Sequence, residues 1–164
     1  MIVVSNTSPL TNLAAIGQFN LLRHLYGQVH IPEGVWAELN AEGRRWPGRD
    51  EVAAVGWVHR HTVGNQTLVM ALQQDLDRGE AETIALALEM AADLTLMDER
   101  EGRHKAQRMG LNVAGTIGVL LDAKERGLLE SMQPHLDGLR QTAGFFISEA
   151  LYTHALEIAG EPRR

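Results

Sequence analysis

Short apolar runs rich in β-branched residues recur along this chain, and each is followed by a longer stretch with helical spacing. "MIVV", Val29-His30-Ile31, "LTLM" and "NVA" are such runs. Strand–helix repetition of this kind predicts an α/β domain built on a parallel sheet. Met1 to Val4 does not alternate polar with apolar residues, as expected of a strand covered on both faces. "WVHRHTV" does alternate and reads as an edge strand, and "FFIS" reads as a further short strand. Between them, Pro9 to Leu25 forms two short helices broken near Gly17. Pro32 opens a helix with Val35, Trp36 and Leu39 on its apolar side. "AEGRRWPGRD" is a polar loop, and Thr67 to Leu76 is helical.

The periodicity is strongest from Gly79 to Ala91, where Ala81, Ile84, Ala85 and Leu88 share a stripe. Leu86 lies opposite, so this helix is either covered from two sides or forms a dimer face with Met90 and the last helix. Arg100 to Met109, "TIGVLLDAKERG", one tail helix and Ser148 to Ala159 complete the pattern, and all 164 residues, 1–164, are read as a single domain.

Composition narrows the chemistry. There is no cysteine, which removes disulfides, thiolate metal sites and thiol nucleophiles and suits a cytoplasmic protein. No apolar run reaches the roughly 18 residues of a membrane helix, and the N-terminus does not resemble a secretory signal. The net charge of −6 argues against a protein that coats nucleic acid. Contact with nucleic acid must then be local or assisted by bound cations.

Ligands of open α/β sheets collect at the carboxyl ends of the strands. Asn6 follows the first strand, Asp98 follows "LTLM", and Gly115-Thr116 follows "NVA". Glu38 lies about two turns into the helix after the second strand, at an offset that can return it to the same edge. Glu80 and Glu82 begin the helix leading into the Asp98 strand. Residues two apart on a helix point about 200° apart, so one of this pair is expected at the site and the other in a local role. Clustered carboxylates repel unless a cation compensates, and a hard divalent ion, Mg²⁺ or Mn²⁺, is the natural partner of oxygens. Such an ion could polarise a phosphodiester and activate water.

"VVSNTSPL", "IPEGVWAEL", "GEAETIALALE", "LTLMDEREGR" and "GTIGVLLDAKERGLL", taken in this order, resemble the PIN domain, in particular prokaryotic PIN-like proteins of VapC toxin type. The resemblance runs from Ile2 to about Gly160. It implies a three-layer α/β/α fold with a central, mostly parallel sheet of four to five strands. It also implies a ribonuclease dependent on Mg²⁺ or Mn²⁺, acting as the toxin of a toxin–antitoxin pair. Carried over by position, Asn6 stands where the family has its first aspartate and Glu38 where it has its glutamate. Glu80, 18 residues before Asp98, takes the third place with Glu82 as rival, and Asp98 takes the fourth. The metal ligands expected are thus Asn6, Glu38, Glu80 and Asp98, and Thr7 and Ser8 match the hydroxyl residues that steady the first acid. Asn6 keeps an acceptor oxygen but loses the charge, which predicts weaker metal binding. The alternative is a catalytically inactive PIN fold that binds nucleic acid or protein. The resemblance further implies a homodimer and a small antitoxin that covers the acidic cleft.

Arg100, Arg103, His104 and Arg108 recur at helical spacing after Asp98, where Arg100, Arg103 and Arg108 could hold RNA phosphates. In "RRWPGR", Trp46 is placed to stack on a base or to mark a protein-docking loop. His59 and His61 share one strand face, but no third metal ligand is expected near them.

Overall fold

The computed structural model describes the whole chain, residues 1–164. Strands β1 (Val3–Ser5), β2 (Val29–Pro32), β3 (Val58–His61), β4 (Leu94–Leu96) and β5 (Val113–Ala114) form one sheet in the order β3-β2-β1-β4-β5. All neighbouring pairs run parallel. The chain builds outward from β1 to β2 and β3, then returns to the far side of β1 for β4 and β5. The connection direction therefore reverses between β1 and β4, where Val3, Val4 and Ser5 pair with Leu94, Thr95 and Leu96. A reversal of this kind opens a crevice beyond the strand ends.

Ten helices flank the sheet: α1 (Thr7–Ala15), α2 (Leu21–Tyr26), α3 (Glu33–Leu39), α4 (Arg49–Ala54), α5 (Gln66–Leu72), α6 (Arg78–Glu89), α7 (Arg100–Arg108), α8 (Thr116–Glu125), α9 (Gln133–Gln141) and α10 (Glu149–Ile158). Strand residues alternate between two cores, as the pleat requires. Val3, Val29, Ile31 and Leu96 pack with Leu10 of α1, Leu120 of α8 and Leu139 of α9. Val4 and Met97 pack on the other face with Ala81, Ile84 and Ala85 of α6 and Ala106 of α7. The expected three-layer α/β/α arrangement follows directly. No helix is long and apolar enough to cross a membrane.

Three local expectations need correction, and the alternative left open for Leu86 is decided. "FFIS" is not a strand: the Phe145 N–H donates to the Leu139 carbonyl and Arg140 donates to the Ile147 carbonyl, so its backbone is satisfied by α9 rather than by a sheet partner. The end of the polar loop and the residues after it form α4, which buries Val52. Leu86 is 2% exposed and belongs to the α6 core, so it forms no dimer face. The edge strand β3 does pair His59 with His30 and bring His61 near it. His30 Nδ1 lies 2.8 Å from His61 Nε2, making His30 a third imidazole where none was expected. Burial, with His61 and His59 beside it, holds the His30 imidazole below its usual range. These rings do not form a metal-holding group.

Candidate active site at the sheet switch point

Asn6 leaves β1 as the residue before α1, with an extended backbone, yet its side chain caps nothing. It is 5% exposed, and its N–H donates to the Leu96 carbonyl across the β1–β4 boundary. Its Oδ1 instead faces the first turn of α6. A Cβ added at Gly79 would lie 3.1 Å from Glu38 Oε2, 3.4 Å from Asn6 Oδ1 and 3.6 Å from Asp77 Oδ1. Three oxygens from three distant segments thus surround a space that exists because residue 79 has no side chain. Asp77 carries no signal of a site in the sequence beyond "DRGE", which has the Asp-x-x-Glu form of a capping box. The structure shows that box complete, with Asp77 accepting from the Glu80 N–H at 2.8 Å.

Thr7 and Ser8, the first residues of α1, do not steady Asn6. The Thr7 hydroxyl donates to Glu38 Oε2 and the Ser8 hydroxyl to Asp98 Oδ2, each at 2.8 Å. One helix N-terminus therefore sets two carboxylates, and both line a cleft of about 480 Å³ with Trp46, Glu99, Arg100 and Phe146. Asp98 is held hardest. Its Oδ2 also accepts from the Asn12 amide and the Thr116 hydroxyl, and its Oδ1 accepts from the Thr116 N–H. A strand-end aspartate is expected to cap the helix that follows, here α7. Asp98 holds the start of α8 instead, and α7 begins after Glu99 without a side-chain cap. Gly115 makes room for this: a Cβ there would meet Arg103 Nη1 at 2.6 Å and Asp98 Oδ1 at 2.9 Å.

Neither glutamate of the Glu80/Glu82 pair lines the acidic cleft. Glu82 accepts from the Gly34 N–H at 2.9 Å in the first turn of α3 and from Arg78 at 2.6 Å. A carboxylate at a helix N-terminus is favourable in itself. Glu80 turns the other way, returning to the Asp77 N–H at 3.4 Å and lying against α7, where a Cβ on Gly102 would be 2.7 Å from its Oε2. Burial, with Asp77 beside it, pushes the Glu80 carboxyl up to about 7. The expected divergence of the two side chains is present, but both serve helix ends.

On α7, Arg100 and Arg103 line a second cleft that shares Asp98 with the first. Arg108 lines a third groove, with Asp75, Lys105, Arg100 and His104, which does not include Asp98. Arg44 stacks over Trp46 at 3.6 Å.

No three acidic or histidine side chains gather closely enough to hold a metal by themselves. The oxygens around Gly79 still suit a hard ion. Mg²⁺ keeps several waters and takes only one or two protein carboxylates, and a carbonyl oxygen such as Asn6 Oδ1 is an acceptable ligand. Glu38, Asn6 and Asp77 would hold such an ion at the gap, and Glu38 also lines the cleft that contains Asp98, which Asn6 and Asp77 do not line.

No curated protein matches the chain. A family model described as a PIN domain matches residues 2–161. PIN domains have a nuclease-type fold, act on nucleic acids and usually bind divalent metal ions. With nearly its whole length matched and a five-stranded parallel sheet between helical layers, this chain belongs to the PIN-domain family.

Proposed function

We propose that the protein is an endoribonuclease that uses Mg²⁺ or Mn²⁺, with its centre at the β1–β4 switch point. The observation that carries this reading is the convergence of Glu38 Oε2, Asn6 Oδ1 and Asp77 Oδ1 on the side of Gly79 where a side chain would stand. When bound, a divalent ion would polarise the phosphodiester and lower the pKa of its water. The chain's own residues do the positioning. Thr7 fixes Glu38, while Ser8, Asn12 and Thr116 fix Asp98 in one orientation. Glu80 braces the α6 N-terminus that carries Asp77 and Gly79, and holds its proton up to about pH 7. In this reading Glu80 and Glu82 are positioning residues. Arg100 and Arg103 offer positive charge next to the acidic cleft, where RNA phosphates would lie.

The finer role we propose is that of a cytoplasmic toxin, paired as a homodimer and silenced by a small antitoxin covering the acidic cleft. A second reading has its own support. With Asn6 neutral and no three acids gathered, the fold would bind RNA or protein without cleaving it. A quenched fluorescent single-stranded RNA decides between them. Cleavage should require Mn²⁺ or Mg²⁺, stop with EDTA, and fall about a hundredfold or more in Asp98→Asn and Glu38→Gln. Absence of cleavage with either ion, or cleavage unchanged in both variants, rules out the nuclease reading.

A further inference from the structure

The second cleft extends the proposed nuclease site in one direction. It has a volume of about 580 Å³ and shares Asp98, Arg100 and Phe145 with the acidic cleft. That volume lies within the range of small-ligand sites. Its lining is mixed in character. Arg100, Arg103 and His104 of α7 line it together with the apolar side chains of Val113, Ile117, Phe145 and Leu151. Asp98 is the only acid in the lining, although the chain as a whole carries −6.

The cations are available. None of Arg100, Arg103 and His104 takes part in an ion pair within the chain. Arg103 is aimed by its Nη1, which donates to the Met97 carbonyl at 3.0 Å and passes over Gly115. Phe145 is half-buried against the main core and its N–H donates to the Leu139 carbonyl at 2.8 Å, so the part of it that lines the cleft is held in place.

We propose that this second cleft is a subsite for one unpaired nucleotide of single-stranded RNA, with the base against Phe145 and the adjoining phosphate on Arg100 and Arg103, directly beside the acidic centre. Cationic and aromatic walls together are what single strands use, since every base has a stacking face and every linkage a charge. A duplex keeps its bases stacked inward and cannot place one in the cleft. An acidic peptide would satisfy the arginines but has no need of the junction at Asp98, which favours a polynucleotide that continues into the acidic cleft. The inference rests on the nuclease reading for its direction along the strand, but its binding does not require cleavage.

The test is fluorescence anisotropy of the full chain in EDTA, with a labelled single-stranded RNA octamer, its duplex, and an acidic aromatic peptide as probes. The single strand should bind at least tenfold more tightly than the duplex or the peptide. Phe145→Leu should weaken single-strand binding about tenfold and Phe145→Trp should restore it. Arg100→Ala should lower the salt dependence of log K by about 0.7, as for one lost phosphate contact. Thermal unfolding of each variant separates loss of the subsite from loss of fold, and Phe145→Leu keeps an apolar side chain for that purpose. No RNA binding, equal binding of duplex, preference for the peptide, or full affinity in Phe145→Leu would each overturn the proposal. Cleavage assays distinguish its failure from that of the nuclease reading: metal-dependent cutting unaffected by Phe145→Leu sinks only the subsite. Tight single-strand binding lost in Phe145→Leu, without any cutting, sinks only the nuclease.

Discussion

Asn6 is where an ordinary turn residue and a site residue are hardest to tell apart. Asparagine favours turns because its side chain bonds nearby backbone, but here it caps nothing and its oxygen looks across to Gly79 and, at 3.5 Å, to the Thr83 hydroxyl. Replacing Asn6 by Asp adds a charge at nearly constant size. Calorimetric titration with Mn²⁺ should show several-fold tighter binding, and any cleavage rate should rise. Unchanged affinity would remove Asn6 from the ligand set. Gly79 provides the complementary test. Gly79→Ala places a methyl among the three oxygens while favouring the helix by about 0.5–1 kcal/mol. Its thermal midpoint should hold or rise as Mn²⁺ affinity drops about tenfold. A midpoint that falls together with affinity would mean the packing, rather than the cradle, is lost. Nothing local marks Gly79 in the sequence, because a glycine in the first turn of a helix is unremarkable until its neighbours are known.

The N-terminus of α6 concentrates three acids and assigns them different tasks. Asp77 caps, Glu80 closes the box, and Glu82 reaches to α3. The capping signal was readable, because it acts over three residues. That Asp77 also faces Asn6 and Glu38 was not, because those partners come from other elements. Glu80 carries a pH signature. Its unfolded carboxyl loses its proton near 4.5, whereas the folded one retains it to about 7. Across that interval the folded state binds more protons, so this group's contribution to stability is full below about 4.5 and declines as pH rises towards about 7. In Glu80→Gln the urea midpoint should lose that decline and exceed that of the parent protein above pH 7. A decline of equal slope in the variant would assign it to another group. On α7, helical spacing grouped Arg100, Arg103 and Arg108 on one stripe, but only the first two meet Asp98. A stripe along a nine-residue helix is long enough to serve more than one groove.

The molecule is held by two cores, one on each face of the sheet, and the site rests on both. Leu10, fully buried, anchors α1, whose first turn aims Thr7 and Ser8 at the two carboxylates. Leu10→Ala should lower unfolding free energy by about 2–5 kcal/mol in urea titration, as for other large-to-small core changes. A loss well under 1 kcal/mol would show that α1 is not anchored through this side chain. The order of strands and helices, the doubly covered β1 and the edge position of β3 were legible along the chain, because hydrophobic period and turn chemistry act over a few residues. "FFIS" has strand composition, yet its backbone groups find partners on α9, which no local pattern announces. Likewise, the five quoted segments carry the family pattern and place Asn6, Glu38 and Asp98 near strand or helix ends. Which oxygens meet is another matter, for the bonds from Thr7 to Glu38 and from Ser8 to Asp98 span 31 and 90 residues. The first needs α3 packed beside α1, and the second needs β4 set beside β1 by the switch in strand order, neither of which is written in a local pattern. The same packing sets Asp77 before Asn6 and Glu38 and carries Glu82 to α3.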